Sequence, residues 1–263
     1  MRQYIDLLKD IILQGKNRPD RTGTGTRSLF SPRAMRFDLQ TSFPLITTKK
    51  VPFRWIKEEL LWFLTGHQHI NYLKEKGVEK IWAPWADENG HVGPLYPTQF
   101  RRQLPAVIGH LRADPYSRRH ILSTWQVDDL PLMCLPPCHG LVVQFYVSEN
   151  PLGEPTYLSC HMYQRSADVF IGLPWNIASY ALLTRLVADQ CGLKPQTLIV
   201  TLGDAHIYRN HMEQVLEQVS RKTRPLPWLC IKTLRPTIFE YDSRDIRIMD
   251  YSPHPAIKGE VSV

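Results

Sequence analysis

Cysteine is scarce. There are five (Cys134, Cys138, Cys160, Cys191, Cys230), an odd number at wide spacing and without secretory context. A disulfide framework is therefore not expected. Metal ligands are equally thin: Cys134 and Cys138 stand near His139, but no second pair has matching spacing. His206 and His211 are five apart, off the face that a helical i, i+4 zinc pair shares, so no metal is expected. No apolar run approaches the ~18 residues of a membrane span. The opening residues, Met1 to Asp6, carry two charges and no apolar stretch, so no signal peptide is expected either. The chain reads as a soluble, cytoplasmic protein without a membrane partner. A Lys/Arg block, an internal repeat, a low-complexity tract and a linker are also missing. Their absence argues against a nucleic-acid arm and for one domain over residues 1–263.

What is present is ordinary for a globular chain: 263 residues, 43% hydrophobic and 22% charged, enough to bury a sizeable core. Lys and Arg number 32 against 25 Asp and Glu, a net charge of +7. That surplus suits an anionic partner, whether nucleic acid, nucleotide or polycarboxylate, and decides nothing among them.

Periodicity predicts a helix over 4–14, with Ile5, Leu8, Ile11 and Ile12 on one stripe. Thr and Gly alternate over 20–26, which suits a loop with special backbone angles. A second helix is predicted over 54–65, with Lys57 and Glu58 outward and Glu59 among the apolar positions. Residues 81–104 read as loop and 104–112 as a short helix. Strands are predicted over 141–147 and 157–170, joined through Pro151, Gly153 and Pro155. A helix follows over 176–190, ended by Gly192. A polar helix is expected from about 207 to 218, then strand-like pieces near Ile238 and Ile246. Strands and helices do not alternate regularly, so the fold class is α+β, not doubly wound α/β.

Several residues carry chemistry. Pro136-Pro137 fixes the backbone ahead of Cys138, and His139 with nearby basic residues is expected to lower the thiol's pKa; a buried structural cysteine is the bland alternative. Arg118 and Arg119 follow Ser117, Arg165 precedes Ser166, and Arg21 sits in the Thr/Gly loop. A guanidinium fork beside a hydroxyl matches phosphate oxygens, although each arginine alone reads better as solvated or salt-bridged. Asn176 is either a helix N-cap or an amide that reads a planar ligand edge. Residues 203–208 read as a capped helix start. Trp82 and Trp85 are core residues or a stacking surface.

The order of these segments decides more than any one of them. DRTGTGT (20–26), FPLITTKK (43–50), EELLWFL (58–64), IWAPWADENG (81–90) and SRR (117–119) come first. PPCH (136–139), QRSADVF (164–170), GLPWNIASYALL (172–183), GDAHIY (203–208), RPLP (224–227) and the closing YSPHPAIKGEVSV follow. From Tyr4 to Val263 the chain resembles the thymidylate synthase family.

The resemblance implies a single domain with a large mixed β-sheet packed with helices, and a homodimer joined through the sheet face. It implies one-carbon transfer from 5,10-methylenetetrahydrofolate to C5 of dUMP, with Cys138 as the nucleophile that adds to C6. Arg21, Gln164, Arg165 and Ser166, with Arg118 and Arg119 given across the dimer interface, match dUMP-binding positions. Asn176 matches the reader of the uracil edge, and His206 and Tyr208 the partners of the deoxyribose hydroxyl. Glu59 and Tyr96 resemble the residues that organise water and remove the C5 proton. Asp168, Ile81, Trp82, Gly172, Lys49 and the carboxylate of Val263 resemble the folate side, the last as a closing gate.

Three departures stand close to the site. Pro97 follows Tyr96 where the family has Gly, and is expected to hold Tyr96 in an extended conformation. Phe100 stands where the family has Trp. One extra residue between Cys138 and Gln144 suggests a bulge in the following strand. Methylation is the first reading. Hydroxymethylation on the same scaffold is the alternative, with dUMP preferred over dCMP because residue 176 is Asn and not Asp. A basic nucleic-acid-binding module is a remote third.

Overall fold

The computed structural model describes residues 1–260. The first half holds α1 (Arg2–Gln14), β1 (Lys16–Arg18), β2 (Thr26–Phe30), β3 (Met35–Asp38), α2 (Phe53–Thr65), α3 (Asn71–Glu75) and α4 (Tyr96–Ala113). Then come β4 (Ile121–Leu122), β5 (Val142–Glu149), β6 (Pro155–Asp168), α5 (Gly172–Cys191) and β7 (Lys194–Tyr208). The chain closes with α6 (Met212–Ser220), β8 (Trp228–Ile231) and β9 (Ile246–Met249).

Seven strands form one mixed sheet in the order β1-β2-β7-β6-β5-β4, with β3 also paired to β7. The β6–β7 pair is parallel, and α5 is the crossover between them. The other ladders of this sheet are antiparallel. β8 and β9 make a separate antiparallel pair. The expected class, α+β with a large mixed sheet packed with helices, is what forms.

Alternation along the central strands buries one face. Leu158, Cys160, Met162 and Gln164 of β6 and Leu198, Val200 and Leu202 of β7 point into the core, where α5 lies over them with Leu182, Leu183 and Leu186 fully buried. The opposite face keeps Val142 (44% exposed) and Tyr146 (68%) on β5.

Helix α1 buries Tyr4, Ile5, Leu7, Leu8 and Ile11, as its stripe predicts. In α2 the outward placement of Glu58 is wrong. Glu58 is 2% exposed, because Tyr72 donates to it at 3.0 Å and Ser243 donates to its other oxygen. A helical wheel cannot see a partner so far along the chain.

Residues 96–104 are helix and not loop: α4 starts at Tyr96, with Pro97 in its first turn. The first amide groups of a helix lack intrahelical acceptors, so a proline there removes no bond. Tyr96 is therefore helical, not extended. The irregularity expected after Cys138 lies ahead of the paired part of β5: the Arg165 amide donates to the Cys138 carbonyl and the Leu141 amide to the Tyr163 carbonyl, out of step with the Val142–Tyr163 register. The β5 ladder runs in register from Val142 to Ser148, and the left-handed Gly140 (φ 65°) turns the chain before it. Helix α5 begins at Gly172, four residues before Asn176, so Asn176 is no N-cap. Gly192 closes α5 in the left-handed conformation, as expected. Residues 203–208 are the end of β7 and not a helix start. Ile238 lies in a short 3-10 turn, whereas Ile246 opens β9.

Candidate active site

The parallel register of β6 and β7 sets Ser166 beside Asp204 and Asp168 beside His206. On the other edge of β7, β2 pairs Ser28 with His206 and Thr26 with Tyr208. Side chains at the carboxyl ends of parallel strands thus converge, the usual place for a ligand in such sheets. A cleft of about 870 Å³ opens there. Arg21, Cys138, Arg165, Ser166, Asp168, Gly172, His206 and Tyr208 line it, eight of the residues singled out from the sequence.

The Thr/Gly loop is shaped by Asp20, which the sequence reading passed over. Its carboxylate accepts from the Thr22 amide at 2.9 Å and the Gly25 amide at 2.6 Å. Gly23 and Gly25 supply the left-handed angles that this wrap needs (φ 75° and 77°). The loop leaves Arg21 exposed, its guanidinium 5.7 Å from the centre of the Trp85 ring.

At the foot of the cleft, the Tyr96 phenol oxygen accepts from the Cys138 amide at 2.8 Å and the His139 amide at 3.4 Å. Its own proton is then directed to the Cys138 sulfur, 3.6 Å away. The Tyr96 ring stacks on His139 (4.2 Å between centres, 2° apart), and His139 Nδ1 meets the Tyr180 hydroxyl at 2.9 Å.

His139 is the site's main correction. Burial pushes its pKa down to about 3, so the imidazole is neutral and supplies no positive potential to the thiol. Burial raises the pKa of Cys138 itself, against the Tyr96 hydrogen bond and the charge of Arg165. The activating charge near Cys138 is Arg165. It donates to the carbonyls of Pro137 (2.8 Å) and Pro136 (3.0 Å), and so ties the proline pair to β6.

Glu59 lies behind this group on α2, 6% exposed. Trp82 Nε1 donates to Oε1 and Trp175 Nε1 to Oε2, both at 2.7 Å. Burial still pushes the carboxyl up to about 7. Trp175 was missed; its only signal was an indole one residue ahead of Asn176. Asn176 Oδ1 accepts from Gln164 at 3.1 Å. That bond fixes the amide and leaves its N–H donors for another partner.

His206 Nδ1 pairs with Asp204 Oδ1 at 3.0 Å. Ser28 donates to the same oxygen at 2.9 Å, and Arg18 pairs with the other at 3.3 Å. Asp204, Ser28 and Arg18 were also missed, because only the β2–β7 pairing brings them together.

The remaining residues lie off the cleft wall. Glu59, Tyr96, Gln164, Asn176 and Trp82 are buried beneath it, and Ile81 is half-buried nearby. Lys49 is buried too: Nζ donates to the Phe170 carbonyl at 2.6 Å and lies 3.4 Å from that ring's centre. Contact with a ligand tail would require that bond to break. Arg118 and Arg119 stand exposed ahead of β4, away from this cleft. Val263 lies outside the described residues.

The family described as thymidylate synthase matches over residues 2–263. The chain belongs to the thymidylate synthase family. Membership carries one-carbon transfer to C5 of dUMP, with methylenetetrahydrofolate as the donor, at the level of the family. The residues present fit a reduced folate of that family. Asp168 Oδ1 accepts from the amides of Phe170 (3.0 Å) and Ile171 (3.1 Å), which leaves Oδ2 free to receive N–H donors of a pterin. Among the described residues, no group of three or more His, Cys, Asp or Glu side chains is placed to hold a metal ion. No described helix is long and apolar enough to cross a membrane.

Proposed function

We propose that this member of the thymidylate synthase family methylates dUMP to dTMP, through a covalent bond between Cys138 and C6. The observation that carries the reading is the Tyr96–Cys138 pair at the foot of a cleft rimmed by arginine. Arg21, Arg165 and Ser166 bind the phosphate. The free N–H donors of Asn176 meet the uracil edge, while His206 and Tyr208 hold the deoxyribose hydroxyl.

The Cys138 sulfur adds to C6 and makes C5 nucleophilic. The Tyr96 O–H, aimed at that sulfur, supports a part in holding the thiolate; burial raises its own pKa well above the ordinary phenol range, so Tyr96 stays a neutral hydroxyl and donates rather than takes a proton. The proton that leaves C5 goes to Glu59, whose pKa near 7 suits both taking and returning a proton. Asp168, Ile81, Trp82 and Gly172 form the folate side; Lys49 meets the folate tail once its bond to the Phe170 carbonyl opens, and the role given to the carboxylate of Val263 is to close the site. Bound folate supplies the one-carbon unit and, in this reading, the hydride that completes the methyl group. Hydroxymethylation of dUMP is the second reading, in which water takes the hydride's place. It is favoured by the altered segment after Tyr96, where Pro97 and Phe100 stand.

The chain works as one catalytic unit and as a cytoplasmic homodimer. The uncovered sheet face supports this, since parallel strands are normally covered on both sides. Exposed Arg118 and Arg119 would then reach the cleft of a second copy. The test is to mix the protein with dUMP and methylenetetrahydrofolate, then measure dihydrofolate absorbance, product mass and the mass in solution. A methyl product with stoichiometric dihydrofolate and a dimeric mass is expected. A hydroxymethyl product without dihydrofolate overturns the methylation reading, and a monomer overturns the shared site.

A further inference from the structure

The carboxyl of Glu59 is held from two sides. Trp82 follows the 3-10 turn over Glu79–Ile81, and Trp175 belongs to the first turns of α5. Each indole has one N–H and no acceptor, and each reaches a different carboxyl oxygen at 2.7 Å. Two donor-only groups favour the carboxylate over the acid. Trp175 has no other part in the scheme above, and it stands one residue before Asn176, which faces the uracil edge.

We propose that Trp175 is a positioning residue for Glu59: its N–H fixes the carboxyl's orientation and favours the charged form that accepts a proton. This rests on the reading of Glu59 as the proton-handling group. Burial alone drives the carboxyl toward the neutral acid, and the two indole bonds oppose it. The ionisable groups coupled to Glu59 are Cys138, from the loop ahead of β5, and Tyr180, from α5. Tyr96 of α4 and His139 stack beyond them. All four are neutral where Glu59 titrates: the thiol and both phenols are raised and the imidazole is lowered. Arg165 stays charged throughout. The acidic limb of turnover therefore belongs to Glu59.

Two experiments decide it. With 15N-labelled indoles in the wild-type protein, the Nε1–H signals of Trp82 and Trp175 should move together through one midpoint near 7, and Glu59→Gln should abolish it. In Trp175→Phe, the Trp82 midpoint and the acidic limb of kcat should both rise by about one pH unit, a tenfold loss of kcat on that limb. KM for dUMP should change less than about twofold. A Trp175 signal that does not titrate with that of Trp82, or an unmoved midpoint in Trp175→Phe, overturns the proposal. If Trp175→Phe does not fold, the wild-type titration alone decides. If the wild type does not turn over dUMP while both indoles share the midpoint, the functional reading fails and the clamp stands.

Discussion

At the rim of the cleft, Asp20 and Asp204 are held below the usual carboxylate range by the hydrogen bonds they accept, chiefly from Thr22 and from His206. On the floor, burial pushes Glu59 up to about 7 and His139 down to about 3. The rim keeps its charges by pairing them beside water; the floor holds its groups near neutrality by excluding it. With those carboxylates engaged by their own hydrogen bonds, the cleft arginines Arg21 and Arg165 suit capture of a phosphate, and a neutral floor suits passing protons within a covalent cycle. Binding and chemistry should therefore be separable by mutation.

The largest break in that comparison is Cys138→Ser. It removes the nucleophile proposed for the floor and leaves the rim whole, so kcat should fall by roughly 1,000-fold or more while dUMP still binds in calorimetry. Full turnover in the variant would rule out the covalent scheme. Next comes Asp204→Asn, which loosens His206 at the rim. KM for dUMP should rise about tenfold, the worth of one charged hydrogen bond, with kcat within about threefold of wild type. Steady-state kinetics that show the loss in kcat instead would merge rim and floor.

The smallest effect is on stability. Between pH 4.5 and 6.5, the ordinary values of the two groups, Glu59 keeps its proton in the native protein and loses it on unfolding, so its contribution falls as pH rises. His139 is neutral when native and takes a proton on unfolding, so its contribution rises with pH. The two slopes, each about 1.4 kcal/mol per pH unit, oppose one another. Glu59→Gln should uncover the rising one. Urea midpoints measured across this window should climb with pH in the variant relative to wild type; parallel curves would refute the pairing of opposite shifts.

The loop and hairpin of the rim were more legible in the sequence than the side-chain partners on the rim or the floor. The Thr/Gly loop, Arg165-Ser166 and the hairpin that carries them follow local rules of turns and alternation, and each forms where those rules put it. The surroundings of Cys138 did not follow. His139 reads as a cation by adjacency, yet its charge is set by Tyr96 and Tyr180, which arrive from α4 and α5 to bury it. Glu58 reads as solvent-facing until Tyr72 and Ser243 cover it. Residues 203–208 look like a helix start because Gly, Asp and His are common there, but pairing with both β2 and β6 overrides that preference. Motif order pointed to the family, which the family match over residues 2–263 bears out, without any of this, since order along the chain does not depend on knowing what buries what.

The placement of β7 bears on how the protein is made. It pairs with β2 and β3 along one edge and with β6 along the other, yet it lies late in the chain. A nascent chain that has emerged only through α5 holds Cys138 and Arg165 but has no strand to join the early segments to them. Closing so long a loop is slow, and such long-range pairing delays folding. The Thr/Gly loop and Cys138 should become neighbours only after β7 leaves the ribosome, so a stalled or truncated product carries a thiol but no cleft around it.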